Sequence, residues 1–451
     1  MSLIRNFKKE KSFDNVICNF TLFLWISLWL SIGTNFYHLD NLNYIAYISI
    51  LRITLVSSLI IISFIIIFFI KKKFNKLLYL IYFYFFLQII GLLQNDGNNS
   101  NINNWYLIFL AAGTLNVLII SNSIKKVNFN QLLLISCVIS GFYCLIIIIP
   151  KILEIYNGLK TSPIISLYGY IDVNEVNFMG IGLPRVTGLA RLLAIFNLFL
   201  ILKLNFNNKL KSSLLLLLIT IITFLIWSIQ SRAVIICFYT CAILIIIFFN
   251  KFSIFNKFLF FLLILILPIT IFNNVNQFIY QKNLDKNIMT SETSKTKDTT
   301  IIETHRIIKF TTSGRIDLWI EGMSYYDLKK IFGYGAQGDR FLLTKARDDL
   351  KIKSGYGTNI SNTILYAFLS GGYLAIIIFV YIYTKTINFI YIFFSKKKKY
   401  IKIDLSIKLA IIILVFFFIR SLVENSFALF SVDFLLFLNS MLIIEKYYKK
   451  N

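Results

Sequence analysis

Residues 214–249 read LLLLLITIITFLI (Leu214 to Ile226), WSIQSRAV (Trp227 to Val234) and IICFYTCAILIIIFF (Ile235 to Phe249). Two apolar runs, each long enough with its flanks to cross hydrocarbon as a helix, are joined by a short polar turn that carries one arginine. A helix on a water-soluble surface keeps a polar face, and these runs have none, so their solvent is lipid. Lipid offers the backbone no hydrogen-bond partner, which makes the helix obligatory.

The pattern extends in both directions, with Leu59 to Ile70 and Leu409 to Ile419 among the other apolar blocks. The 451-residue chain is 57% hydrophobic and 15% charged, and its mean hydropathy is +0.74. No single water-soluble core can absorb that much apolar surface. The expectation is an all-α polytopic membrane protein of about 12 transmembrane helices. They are placed at 17–36, 46–70, 77–93, 105–122, 132–150, 187–202, 214–229, 233–249, 258–272, 361–384, 405–420 and 427–444.

The formal charge of +25 invites a nucleic-acid partner, and the positions of the basic residues argue against one. With the N-terminus inside, the inner segments hold Lys71 to Lys73 and Lys396 to Lys399, whereas the outer turns at 37–43 and 94–104 hold no Lys or Arg. That asymmetry is the positive-inside pattern, so the charge reports orientation in a membrane. Arg5, Lys8, Lys9 and Lys11 precede a span of ordinary length without a small-residue cleavage site, which reads as a retained signal anchor. Five cysteines fall within spans at spacings that suggest neither disulfides nor a metal site. His38 and His305 are isolated outer-loop residues.

The chain divides into 1–272, with nine spans and an outer loop at 151–186; a large outer loop at 273–360; and 361–451, with three spans. Within the large loop, the polar run Gln281 to Thr304 gives way at Ser313 to a segment with Ile316, Trp319, Ile320 and Met323 at helical spacing. An amphipathic helix near 314–330 is expected, lying on the outer interface or packed on neighbouring spans, with Gly333 and Gly335 as its stops. Long polar loops of this kind are where function concentrates.

Arginines at outer span ends carry the chemical signal. Arg185 and Arg191 flank the sixth span, Arg232 sits between spans seven and eight, Arg315 opens the loop helix and Arg420 ends span eleven. Topology gives no reason for them there, and bidentate guanidinium groups suit a pyrophosphate. Arg52, near the outer end of span two, either snorkels or faces a polar cavity. Structural alternatives remain for each. Arg191 and Arg420 can anchor spans, Arg232 can pair with Glu424 or Asp317, and Arg315 can be surface charge.

These residues resemble the O-antigen polymerase and ligase family from about Gly182 to Phe427. The matching pieces are Arg185-Val186-Thr187-Gly188-Leu189; Ser231-Arg232-Ala233; Ser313-Gly314-Arg315 to Trp319; Ile331-Phe332-Gly333-Tyr334-Gly335; and Ser361-Asn362-Thr363-Ile364-Leu365 with Gly372. Ligase members usually carry a histidine before the Asn362 position, where this chain has Ser361. The departure favours a Wzy-type repeat-unit polymerase over an O-antigen ligase.

The resemblance implies a glycosyltransferase of the bacterial cytoplasmic membrane, with its site on the periplasmic or outer face. Its substrates are undecaprenyl-pyrophosphate-linked oligosaccharides, it has no metal or other cofactor, and its partners are membrane lipids and a chain-length regulator. Arg232 and Arg315 are the expected catalytic arginines, with Glu424 and then Asp317 as candidate bases. Arg185, Arg191, Arg420, Asn362 and Arg52 are the expected substrate-binding residues. A lipid-linked oligosaccharide flippase is the rival from another class, but it calls for short loops and charges along a central cavity, which this chain lacks.

Overall fold

The computed structural model describes residues 15–29, 43–70, 75–123, 129–158, 177–178, 181–182, 186–204, 209–229, 231–249, 254–271, 274, 315–328, 330–350, 359–395, 403–426, 428 and 430–450. Their regular structure is helical apart from a two-residue antiparallel pair, β1 (Asn177–Phe178) with β2 (Ile181–Gly182). The helices are α1 (Asn15–Trp29), α2 (Asn43–Phe69), α3 (Lys76–Leu93), α4 (Asp96–Asn99), α5 (Ile102–Ser123), α6 (Phe129–Gly158), α7 (Val186–Lys203), α8 (Lys209–Ser228) and α9 (Arg232–Phe248). They continue with α10 (Ile254–Phe261), which runs into a π-helical turn at Leu262–Ile266, then α11 (Arg315–Ser324), α12 (Gly338–Leu350), α13 (Thr363–Ser395), α14 (Leu405–Ser421) and α15 (Val432–Lys450).

Each of the twelve intervals expected to span the membrane contains a helix. Four segments are long and apolar enough by themselves to cross one: Lys76–Leu93, Ile102–Ser123, Leu210–Ser228 and Thr363–Ser395. Exposed side chains repeat the message. Phe68 and Phe69 of α2 and Leu210, Leu214 and Leu217 of α8 face outward, an arrangement stable in hydrocarbon and costly in water. The protein is a membrane protein. Helix α6 runs eight residues past the expected end at 150, and α11 stops at Ser324, short of 330. The polar run Gln281 to Thr304, His38 and His305 lie outside the described residues.

Helix α14 is the centre of the bundle. Leu409 to Phe417 are buried without interruption, and α7, α9, α13 and α15 pack around it. Cys241 Sγ of α9 lies 3.6 Å from Ile412 O, and Lys408 lies over the Phe249 ring. These contacts run α9 antiparallel to α14 and bring Arg232 to the end where Arg420 lies. At the opposite end Glu445 meets Lys385 at 3.1 Å and accepts from Asn75 Nδ2 at 2.9 Å.

One spanning helix is broken. At Gly372 the backbone of α13 turns to φ 69° and ψ −159°, which frees peptide groups that lipid could not satisfy. The loop after α11 satisfies them. Tyr334 N donates to Leu369 O at 2.8 Å, Gly335 N to Ser370 O at 2.9 Å, and Tyr373 N to Ile331 O at 3.2 Å. Gly333 and Gly335 both have positive φ, and a Cβ on Gly91 of α3 would sit 2.5 Å from Gly335 N. Asn98 Nδ2 pins the loop from the other side through Tyr334 O at 2.7 Å and Ala336 O at 3.2 Å. The glycines expected as helix stops thus let a loop enter between α3 and the break in α13.

Candidate active site

Three arginines from separate parts of the chain meet two carboxylates at the end of the bundle that holds the broken half of α13. Arg420 closes the last turn of α14, and Asp433 opens α15. Arg420 Nη1 donates to Asp433 Oδ2 at 2.5 Å and to Ser426 Oγ at 2.8 Å. Arg191, in the second turn of α7, reaches the same carboxylate, with Nη1 donating to Oδ2 at 2.8 Å and Nε lying 2.7 Å from Oδ1. Glu424, in the turn after α14, is 3.9 Å from Arg420 Nη2 and accepts from Arg315 Nη2 at 2.9 Å. The charges alternate in space as Arg191, Asp433, Arg420, Glu424 and Arg315, so the chain of five carries one net positive charge.

A buried charge chain of this kind needs rigid supports, because a carboxylate that drifts leaves a neighbouring guanidinium desolvated and unpaired. The segment before α13 supplies them. Asn362 Oδ1 accepts from Ile364 N and Leu365 N, both at 3.0 Å, which makes Asn362 the N-cap of that helix. Its Nδ2 donates to Leu422 O at 3.1 Å, and Thr363 Oγ1 donates to Glu424 O at 2.8 Å, so the cap also holds the turn that carries Glu424.

Ile360, two residues earlier, is gripped at both peptide groups. Trp319 Nε1 of α11 donates to its carbonyl at 2.6 Å, and its N–H donates to Asp339 Oδ2 of α12 at 3.1 Å. Burial pushes the Asp339 carboxyl above the usual carboxylate range. Trp319 and buried Leu318 fasten α11, while Ile316, Ile320 and Met323 stay exposed, so this helix has both a packed face and an apolar outer face.

The arrangement gathers Arg191, Arg420, Arg315 and Glu424 from the sequence-derived candidates and sets Asn362 beside them. Arg232 is half-buried at the start of α9, on the helix packed against α7 and α14. Asp317 is exposed and in no ion pair among the described residues. Arg185 and the side chain of Arg52 lie outside the described residues. Sequence reasoning missed Asp433, Ser426 and Asp339, and gave Thr363 only as part of the matching Ser361 to Leu365 stretch. Asp433 did leave a signal, since a carboxylate inside an expected span implies a buried partner.

The class these features define is a polytopic helical membrane protein with an arginine–carboxylate network at one end of its bundle. Residues 196–380 match the family model described as O-antigen ligase, which supports the O-antigen polymerase and ligase family. The matched stretch contains Arg232, Arg315, the glycine loop, Asn362 and Gly372. Arg191 lies just before it, and Arg420, Glu424 and Asp433 lie after it. No curated protein matches the chain. The enzymes of that family are glycosyltransferase-like membrane proteins, polymerases or ligases, acting on lipid-linked oligosaccharides.

Proposed function

We propose that this protein polymerises undecaprenyl-pyrophosphate-linked oligosaccharide repeat units on the outer face of the bacterial cytoplasmic membrane. The observation that carries the reading is the convergence of Arg191, Arg420 and Arg315 with Glu424 from three distant parts of the chain. A hydroxyl of one lipid-linked unit attacks the anomeric carbon at the reducing end of a growing chain. The new glycosidic C–O bond forms, the bond from that carbon to the pyrophosphate oxygen breaks, and its electron pair leaves with undecaprenyl pyrophosphate. Guanidinium charge stabilises the developing anion, so the scheme requires no metal.

Glu424 is the base of this scheme and takes the acceptor proton. In the resting state Arg315 holds it. As negative charge grows on the leaving group, Arg315 exchanges the carboxylate for phosphate oxygen and frees Glu424 to accept the proton. Asp317, exposed and away from the network, is the second candidate. Polymerase is preferred over ligase because Ser361 replaces the ligase histidine. Its hydroxyl turns back onto Asn359 O at 3.4 Å and leaves no imidazole for proton transfer.

The deciding experiment is the polysaccharide of a deletion strain. Single repeat units on lipid A core support the polymerase, whereas unattached polymer left on undecaprenyl supports the ligase. Orientation has its own test in a cysteine-free background. An impermeant thiol reagent is expected to label Thr296→Cys and Ser231→Cys from outside and to leave Ser395→Cys untouched. Outside labelling at 395 reverses the topology.

The Asn362 cap predicts a third result. Asn362→Ala removes two accepted N–H bonds and the tie to Leu422, costing roughly 0.5–2 kcal/mol of local stability, and is expected to shorten chains. Ser361→Ala is expected to be mild. Full-length chains from Asn362→Ala protein at normal abundance remove Asn362 from the site.

A further inference from the structure

We infer that Asp433 is a positioning residue that sorts the arginines into two tiers, and that Arg315, not Arg191 or Arg420, meets the pyrophosphate of the leaving group. The inference rests on the arginine-clamp reading above and changes which residues perform it. Side-chain exposure falls along the charge chain from 29% at Arg315 through 16% at Glu424 and 4% at Arg420 to 1% at Asp433, and rises again to 14% at Arg191, half the exposure of Arg315.

The donors tell the same story. Arg420 Nη1 spends both hydrogens, on Asp433 and Ser426, and its Nη2 faces Glu424. Arg191 Nη1 donates to Asp433 Oδ2 and its Nε lies 2.7 Å from Oδ1, while the buried Nε of neither Arg191 nor Arg420 makes a hydrogen bond among the described residues. Asp433 already accepts from both, so a phosphate at either of them competes with that carboxylate, and two anions sharing the same guanidinium groups repel at short range. Asp433 therefore offsets half of the inner pair's charge and fixes Arg420. Arg420 faces Glu424, and Glu424 holds Arg315 where solvent and substrate reach it. Three helices, α7, α14 and α15, are tied at one carboxylate, so a shift there reaches the reacting groups through Arg420.

The two roles separate experimentally. If Arg191 serves only to balance Asp433, removing both charges together restores the single net positive charge that either single variant changes, with Arg420 still bonded to Ser426 and facing Glu424, and the double variant performs better than either single one. If Arg191 binds phosphate, removing Asp433 as well cannot restore it. The experiment compares wild type, Arg191→Met, Asp433→Asn, the Arg191→Met/Asp433→Asn double variant and Arg315→Met in purified full-length protein. It measures kcat and KM for the lipid-linked unit and the thermal-unfolding midpoint with and without inorganic pyrophosphate.

Each inner single variant is expected to lose ~10- to 100-fold in kcat with little change in KM, as for a misplaced catalytic group. The double variant is expected to recover part of that loss, since it restores the net charge but not the Asp433 contact that fixes Arg420. Pyrophosphate is expected to raise the unfolding midpoint of wild type and of the double variant, but not that of Arg315→Met. A double variant no better than Arg191→Met, or one blind to pyrophosphate, overturns the assignment and makes Arg191 a ligand. Should Asp433→Asn fail to accumulate, Asp433→Glu keeps the charge but moves it by one methylene. A lowered kcat at constant KM is then expected, and an unchanged kcat overturns the positioning role.

The failure of the broader reading looks different. Wild-type protein that forms no polymer and shows no pyrophosphate shift overturns the clamp, and the assignment of Arg315 with it. The pairing role of Asp433 is then decided by whether the double variant restores the unfolding midpoint lost in the singles.

Discussion

Replacing Arg315 with lysine is expected to abolish most polymer formation although the positive charge is kept. An ammonium is a point charge on a flexible stem and lacks the planar fork that passes from Glu424 to the phosphate oxygens. The contact with the leaving group strengthens as charge develops, so its loss falls on the transition state. By analogy with the removal of one oxyanion donor, the cost is on the order of 2.7–4 kcal/mol, or roughly a hundred- to a thousand-fold in rate. Arg315→Ala is expected to match Arg315→Lys, because geometry and not charge is what both remove.

The measurement is polymer formed by membranes supplied with undecaprenyl-linked units, normalised to protein level. Arg232→Lys belongs in the same assay, since Arg232 was read as catalytic from its place between two spans. If Arg315→Lys fails while Arg232→Lys is normal, Arg232 leaves the site. Near-normal activity in both removes the clamp's main support.

Gly372→Ala is expected to prevent stable accumulation of the protein. The backbone there has φ 69°, and a Cβ would overlap the Ile331 carbonyl oxygen within the contact that satisfies the broken helix. This positive-φ conformation, with ψ −159°, costs an L residue about 1–3 kcal/mol, and overpacking typically adds about 1–3 kcal/mol. Loss of the Tyr373 N to Ile331 O bond also leaves two peptide groups unpaired in an apolar setting. Gly97→Ala is the control. Its Cβ would meet the Phe341 ring at 2.9 Å, a side chain that can yield, and near-normal abundance is expected. Normal abundance and an unchanged unfolding midpoint for Gly372→Ala contradict the role given to the break.

Much of this fold was legible because lipid simplifies the problem. An apolar run such as Leu214 to Ile226 has one stable backbone state in hydrocarbon, and the helix follows without knowledge of its neighbours. Helix ends were less legible. Helix α6 continues to Gly158, and α11 ends at Ser324 because the chain must turn to bring Ile331 to Gly335 against α13. Gly333 and Gly335 read locally as stops, and their actual task depends on Gly91 and Gly372, far away in sequence.

The candidate site divides in the same way. Arg191, Arg315, Arg420 and Glu424 could be found one at a time, since each lies at a helix end expected on the side whose short turns at 37–43 and 94–104 hold no Lys or Arg. Their pairing could not be found so. Arg191 and Asp433 are 242 residues apart, and Asp433 was absorbed into an apolar span when its burial should have prompted a search for a cation. Asp317 looked equivalent to Glu424 by side and by charge. It is a two-residue offset from Arg315 on α11 that turns it away from the network.

The most direct test of the central claim uses purified protein in liposomes supplied only with undecaprenyl-pyrophosphate-linked repeat units, without lipid A core. Glycan length and undecaprenyl pyrophosphate release are measured together. The predicted result is a ladder of lengthening chains, with one undecaprenyl pyrophosphate released for each glycosidic bond formed and both signals lost in Arg315→Lys. Absence of release from intact wild-type protein, or transfer that begins only when lipid A core is added, contradicts it.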